Sequence, residues 1–325
     1  MKNLNMIMII PLYTLSVIFP LSSCSWLPMW MGLEINLLMF ILISMNMKSI
    51  QITDSLMKYF LIQSSSSLIF LFSISTDLTN YEEWPLINAI VPPLALMLKM
   101  GLAPLHSWMI NTASNFPLMS FYLFITMQKL IPLMILFTSW FSILMWLAIP
   151  NVIVGSLGGI AESSILKLLL FSSINNSGWM MSSLMISNYL FIIFFSVYTI
   201  LVTQILYILY LFNMKWMIQI YMNLLPIKCF VYLNLMSLSG LPPLLGFSIK
   251  WIIIKQLILN LPLLSWTFIM TSTMSMFFYI KMTMNTILNS TTNKKWMNKF
   301  HKMNPTLIFL MMTNTLGIPL FIMLT

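Results

Sequence analysis

The chain has 325 residues, of which 60% are hydrophobic and only 6% are charged, and its formal net charge at pH 7 is +9. A soluble globular domain carries roughly 25% charged residues, so this composition excludes a protein whose surface faces water throughout. The sequence therefore predicts an integral membrane protein.

Apolar segments long enough for a membrane-spanning helix follow one another from the first residues to the last, without the alternation that is typical of barrel strands. We predict an all-α polytopic membrane protein with about eleven transmembrane helices. The predicted spans are residues 3–20, 26–45, 55–76, 85–110, 118–139, 142–160, 164–186, 188–212, 228–258, 262–287 and 304–324. Since the connections are short, we expect a single transmembrane domain over 1–325.

The basic residues, all of them lysines, predict the orientation of the spans. Most of them fall at alternate span ends, on one side of the membrane: Lys2, Lys48, Lys58, Lys167, Lys215, Lys228, Lys281, Lys294, Lys295, Lys299 and Lys302. The opposite side carries Asp77, Glu82 and Glu83, and its one lysine is Lys255 near a helix end. This distribution follows the positive-inside rule, which predicts an N-terminus inside and a C-terminus outside. The net positive charge is thus explained by lipid headgroups, and we predict no nucleic-acid partner.

Four ionisable side chains remain deep inside the predicted spans, namely Glu34, Lys99, Lys129 and Lys250. A charge near the bilayer centre costs about 2.5–3.5 kcal/mol on insertion scales, so each of them needs a compensating role. A single lysine could be an assembly contact or extend to the surface. Four groups of mixed sign favour a proton relay, because burial disfavours the charged form of an amine and lets it exchange a proton.

Two spans contain helix breakers in a shared pattern. The fourth reads KMGLAPLHSW over 99–108, and the ninth reads SGLPPLLGFSIKW over 239–251. Proline removes a backbone hydrogen bond and glycine permits unwinding, so both helices should be interrupted. The residues concerned are Gly101, Pro104, Gly240, Pro242 and Pro243.

The two breaks lie five spans apart and therefore have opposite orientations in the membrane. Paired breaks in two halves are typical of inverted-repeat transporters. We predict a first five-helix repeat over 3–139, a second over 142–287 and an additional helix over 304–324. The alternative is two ordinary proline-kinked helices.

Other polar or small residues leave alternatives open. His106 follows the first break and either shuttles protons or hydrogen-bonds a freed carbonyl. The spacing of Gly155 and Gly159 favours close helix packing. The cysteines, Cys24 and Cys229, lack CxxC spacing, and the nine glycines contain no GxGxxG or Walker pattern. We therefore predict no metal, no cofactor and no catalytic group in this chain.

Five segments resemble a known family. They read SWLPMWMGLEINLL (25–38), LKMGLAPLHSW (98–108), MQKLIPLM (127–134), LLLFSSINNSGWMMSSLMIS (168–187) and SLSGLPPLLGFSIKW (237–251). In this order they are similar to the antiporter-like chain 2 family of mitochondrial NADH:ubiquinone oxidoreductase, respiratory complex I, in its shortened animal form. The 33 methionines and the lack of arginine suit an animal mitochondrial gene.

The resemblance implies a role for each deep charge. Glu34 is expected to pair with Lys99, Lys129 to be the central relay lysine and Lys250 to serve the outward half-channel. His106 also matches a family histidine.

Two positions depart from the family pattern. Asn176 replaces a histidine before the Gly-Trp pair of the seventh span, and Leu166 replaces an arginine beside Lys167. Neither replacement can take part in a relay through the lost group.

The resemblance also implies the setting of the chain. It would be a multi-pass protein of the mitochondrial inner membrane, with its N-terminus on the matrix side and its C-terminus on the intermembrane-space side. Flavin, iron–sulfur centres and ubiquinone are expected on other subunits. Its partners would be other membrane-arm subunits, including neighbouring antiporter-like chains, and lipids.

We therefore predict a core membrane subunit that couples electron transfer from NADH to ubiquinone to proton translocation, with no redox site of its own. One alternative is a free-standing cation/proton antiporter of the same architecture, which would transport ions when purified alone. Another is an assembly scaffold that moves no ions, in which a neutral residue could replace Lys129 without loss of pumping.

Overall fold

A computed structural model describes residues 2–45, 49–79, 85–221, 225–289 and 314 of the chain. Within these ranges the backbone is helical, and the only extended pairing is an isolated bridge between Ser164 and Trp216. The predicted all-α class is therefore confirmed. The helices are α1 (Lys2–Ser22), α2 (Trp26–Ser44), α3 (Ile50–Thr79), α4 (Pro85–Met100), α5 (Ser107–Ala113), α6 (Leu118–Ile125), α7 (Met127–Ser139), α8 (Phe141–Gly158), α9 (Ile165–Ile186), α10 (Asn188–Phe212), α11 (Met217–Tyr221), α12 (Leu225–Ser239), α13 (Leu245–Asn260) and α14 (Pro262–Asn289).

Many of these helices have the length and composition of membrane spans. In the described part of the chain, six segments are long and apolar enough to cross a bilayer: Trp26–Ser44, Ile50–Ser75, Leu118–Ser139, Phe141–Ala161, Asn188–Phe212 and Pro262–Met284. Three shorter apolar helices are Ile9–Ser22, Ile90–Met100 and Ile227–Ser239. Large apolar side chains such as Trp146 and Leu263 are exposed along them, as a lipid-facing surface requires. The predicted last span, 304–324, lies outside the described residues except for Asn314.

The ends of α10 show how local sequence places a helix boundary. The hydroxyl of Ser187 accepts a hydrogen bond from the backbone N–H of Leu190, which caps the first turn. At the other end Asn213 adopts a left-handed conformation with φ 49°, a conformation that asparagine tolerates. The observed helix therefore has the bounds of the predicted span, 188–212.

Both spans with helix breakers are interrupted. α4 ends before Gly101 and the chain resumes as α5, while α12 ends before Gly240 and resumes as α13. Gly101 has φ 65° and Gly240 has φ 97°, a region that only glycine enters without strain.

Each break also contains a backbone hydrogen bond of the same type. The N–H of Leu102 donates to the carbonyl of Met97, and the N–H of Leu241 donates to that of Met236. This bond, from a residue to the carbonyl five positions earlier, is a mark of a Schellman-type helix end.

A third interruption was not predicted. Between α6 and α7, within the predicted span 118–139, Thr126 has φ −111° and ψ −82°. Its hydroxyl donates to the carbonyl of Tyr122 at 2.7 Å. Lys129, which the sequence predicts to lie deep inside the span 118–139, is in the first turn of α7. No glycine or proline stands at the break, and Pro132 lies inside α7.

The chain divides into two compact units, Met1–Leu147 and Ala148–Thr325. In the first unit α1 packs on α2, α3 on α4, and α4 on α7. Its core contains a cluster of aromatic rings with centroids 5.0–6.2 Å apart, most of them tilted or edge to face. The rings belong to Phe40, Tyr59, Trp108, Phe116 and Phe124.

The second unit is centred on α9, whose residues are buried from Leu168 to Leu184. Small residues let α8 approach it closely, since Gly155 lies against the backbone of Asn175 and Gly178 lies against Val152. Gly159, in a 3-10 turn after α8, instead faces the ring of Phe278 on α14.

Candidate functional site

Lys250 lies on α13 in the second unit and is only 4% exposed. Its ammonium donates hydrogen bonds to the carbonyl oxygens of Leu238 at 2.8 Å and Ser239 at 2.9 Å. The ammonium also lies 5.4 Å from the ring centroid of Trp179. The two carbonyls lie at the C-terminal end of α12. The break leaves them without intrahelical donors, and the helix dipole has its negative end there. The helix break therefore supplies the partners that a buried ammonium requires.

Lys99 lies in the last turn of α4 in the first unit and is 7% exposed. Its backbone carbonyl accepts a hydrogen bond from the side-chain amide of Gln63 on α3, at 2.8 Å. A polar side chain from a neighbouring helix thus meets the end of α4, as a lysine does at the end of α12.

Glu34 is half-buried on α2, in the same unit as Lys99, where its negative charge would act on the Lys99 ammonium. Among the described residues this is an interaction at longer range than a direct ion pair. An opposite charge at such range stabilises an ammonium that burial would otherwise disfavour. The pairing of Glu34 with Lys99 therefore stays a prediction.

Lys129 is 2% exposed, in the first turn of α7. Its backbone N–H donates to the carbonyl of Thr126 at 3.2 Å, across the start of the helix. Because α7 packs against α4, Lys129 and Lys99 lie on neighbouring helices.

His106 is half-buried at the N-terminal end of α5. Its Nδ1 lies 3.1 Å from the carbonyl oxygen of Pro104, within hydrogen-bond distance. Of the two alternatives for this residue, the contact fits a histidine that satisfies a carbonyl at the break.

A small cavity of about 20 Å³ adjoins Lys250 in the second unit. Asn176, Tyr198 and Ser237 are among its lining residues. A volume of this size holds about one water molecule. Asn176 therefore contributes an amide, which cannot titrate, to the space beside the buried lysine. Leu166 lies further back, in the first turn of α9.

Sequence reasoning missed the amide side chains that accompany these charges. Gln63 caps the end of α4, and Asn36 on α2 exchanges hydrogen bonds with Gln128 on α7 at 3.0 and 3.3 Å. The available signal was the presence of an uncharged amide inside an apolar span, where it needs a partner on another helix.

Comparison with known proteins supports a family assignment. Residues 23–276 match the family described as NADH:quinone oxidoreductase/Mrp antiporter, transmembrane. The chain is 34% identical to NADH-ubiquinone oxidoreductase chain 2 of Anopheles gambiae, over 92% of this chain and 89% of that protein. It is 32% identical to the protein of the same name in Oryctolagus cuniculus, over 98% of both chains.

The fold is also found among solved structures. A chain of respiratory complex I from Thermus thermophilus, determined with bound aureothin, superposes with a TM-score of 0.74. The alignment covers 97% of this chain and 77% of that chain, at 19% sequence identity. The similarity at this level of identity is one of fold.

Proposed function

Because the chain belongs to the NADH-ubiquinone oxidoreductase chain 2 family, we propose that Glu34, Lys99, Lys129 and Lys250 carry the proton movement of this subunit. The chain is a core membrane subunit of a proton-pumping NADH:ubiquinone oxidoreductase and a multi-pass protein of the mitochondrial inner membrane. What is proposed is the identity of the residues that transfer the protons.

The observation that carries this assignment is the burial of the three lysines, which are 7%, 2% and 4% exposed for Lys99, Lys129 and Lys250. Lysine is rarely buried without a partner, and ionisable residues within membrane spans commonly mark ion or proton pathways. Each of these lysines also lies next to a helix interruption, where irregular backbone is tolerated because it lines a polar space.

The proposed mechanism is electrostatic. A change of charge at Glu34 or near it alters the stability of the Lys99 ammonium, and the change in Lys99 in turn alters the field at Lys129. Lys250 is assigned to the outward half-channel, where the cavity beside it has space for about one water molecule. Asn176 and Leu166 do not exchange protons in this scheme, whereas His106 is proposed as a further relay member beside the break at Gly101.

The chain supplies no redox group in this proposal. Flavin, iron–sulfur centres and ubiquinone belong to other subunits of the complex, and the exposed apolar helix faces meet lipid and neighbouring membrane-arm subunits.

The proposed architecture has eleven spans with an inverted repeat. The repeats are 3–139 and 142–287, and 304–324 is an additional helix. Support comes from the two glycine breaks, which share a positive φ and the same backbone hydrogen bond five spans apart. The N-terminus lies on the matrix side and the C-terminus on the intermembrane-space side.

The test is Lys129→Met in the intact complex. Methionine retains the length and apolar packing of the side chain but has no exchangeable proton. We expect the complex to assemble, and the number of protons translocated per NADH oxidised in proteoliposomes to fall, because the variant has no group at this position that can pass on a proton. An assembled variant with the wild-type ratio would contradict the relay and favour the scaffold.

Blue-native electrophoresis with an in-gel stain for NADH oxidation separates the remaining alternative. A subunit of the complex migrates with the stained high-mass band. Migration near the size of this chain alone, with sodium-dependent transport by the purified chain, would favour a free-standing antiporter.

A further inference from the structure

An amide bridge joins α2 to α7 in the first unit. The side-chain N–H of Asn36 donates to the Gln128 carbonyl oxygen at 3.0 Å, and the Gln128 amide donates back to the Asn36 oxygen at 3.3 Å. The hydroxyl of Ser16 on α1 also lies 3.3 Å from that Asn36 oxygen. Asn36 is 2% exposed, so side chains of three helices meet at a buried amide.

The bridge lies next to two of the proposed relay residues along the chain. Asn36 follows Glu34 by two positions on α2, and Gln128 directly precedes Lys129 on α7. Because α7 begins immediately after the interruption at Thr126, the rotation of its first turn is not set by a continuous helix from α6. Tertiary contacts must set it, and the bridge is a directional contact made by that turn.

The chemistry of the bridge suits a fixed support. Two antiparallel hydrogen bonds restrict rotation as well as distance, which a single bond does not. Primary amides do not titrate, so the bridge keeps its donors and acceptors when the neighbouring charges change. If the bridge opened, the buried side-chain N–H of Asn36 would lose its Gln128 acceptor, which is costly in apolar surroundings.

We propose that Asn36 and Gln128 are positioning residues, which hold the first turn of α7 against α2 and thereby fix the separation of Lys129 from Glu34 during proton transfer. The inference rests on the proposed relay function of those two charged residues. It adds two uncharged residues whose loss should impair coupling without removing any exchangeable proton.

The first test uses near-isosteric apolar variants, Asn36→Leu and Gln128→Met, in the intact complex. Each should lower the protons translocated per NADH, while oxidation of NADH by a soluble electron acceptor stays at the wild-type rate. The proton ratio of the double variant should differ from that of either single variant by less than roughly twofold, because both changes break the same bridge. Ser44→Ala is the matched control, since among the described residues that buried hydroxyl on α2 bonds the carbonyls of Phe40 and Ile41 in its own helix.

A second pair of variants covers the case in which the apolar variants fail to assemble. Gln128→Asn shortens one arm of the bridge by a methylene but keeps its amide, and it should lower the proton ratio. Adding Asn36→Gln restores the total length and should restore the ratio. If Gln128 served only the local packing of α7, the Asn36→Gln change on α2 would not restore the proton ratio.

The outcomes separate this inference from the proposed function. Wild-type proton ratios in assembled Asn36→Leu and Gln128→Met, or in Gln128→Asn, would overturn the positioning role even if Lys129→Met stops pumping. A wild-type ratio in Lys129→Met would instead overturn the relay itself. Failure of Asn36→Gln to rescue Gln128→Asn would also count against the bridge.

Discussion

At the scale of single residues, Lys250 illustrates how an ammonium is held inside an apolar protein. Within the described part of the chain its partners are two backbone carbonyls and an aromatic ring, and no carboxylate pairs with it. The carbonyls are available because α12 ends at Ser239, so the break at Gly240 supplies the hydrogen-bond acceptors of the lysine. A cation at a helix C-terminus is stabilised by the helix dipole as well as by its hydrogen bonds.

Replacing Lys250 with Met should therefore weaken the protein and stop its proton transfer. The carbonyls of Leu238 and Ser239 would lose their donor, at about 1–3 kcal/mol for each buried acceptor left unsatisfied. We expect a lower thermal denaturation temperature of the isolated complex and a lower number of protons per NADH. Lys255→Met, an exposed lysine on the same helix, should change neither measurement. A Lys250→Met complex with wild-type stability would show that the hydrogen bonds from Lys250 to the end of α12 do not contribute to stability.

At the scale of elements, the interrupted helices decide where the charges lie. The breaks at Gly101 and Gly240 were predictable because glycine and proline change backbone energetics locally. The break at Thr126 was not, since threonine is compatible with a helix and its hydroxyl bonds the preceding turn. The local sequence at Thr126 therefore carries no signal for that break.

Gly240→Ala tests whether the positive φ is required. A Cβ at φ 97° costs about 1–2 kcal/mol of backbone strain, and it would also lie 3.2 Å from the Cδ of Lys250. We expect reduced assembly of the complex on blue-native gels and a lower proton ratio in what assembles. Ser239→Ala, one residue earlier, removes a hydroxyl whose partner in the described ranges is the carbonyl of Met236, and it should behave as wild type. Equal behaviour of the two variants would mean that the left-handed conformation is dispensable.

At the scale of the whole molecule, the distribution of lysines predicts topology that native thiols can test. Cys24 is an exposed free thiol between α1 and α2, which the proposed orientation places on the intermembrane-space side. Cys229 is an exposed free thiol near the start of α12, toward the matrix side. A membrane-impermeant maleimide added to mitoplasts should modify Cys24 and not Cys229, as read by mass spectrometry of this chain. Labelling of Cys229 alone would show that the orientation is the opposite of the proposed one.

The sequence by itself determined the features that depend on local composition. Apolar length predicted the helices, the scarcity of charge predicted the membrane, and Gly101 and Gly240 predicted two breaks, since each follows from the energetics of a short segment. The four deep charges could also be identified, because a charge inside an apolar span is visible without any fold. The family resemblance, carried by the motifs around those charges, is confirmed by relatives that match nearly the whole chain.

The tertiary structure alone decided which groups meet. The pairing of Asn36 with Gln128 joins residues 92 positions apart, and the bond from Gln63 to the end of α4 spans 36. Likewise, Lys250 finds its partners on α12 because the chain folds back after the break. Such contacts depend on how helices pack, and packing is set by the shapes of many side chains together, so no short stretch of sequence specifies them.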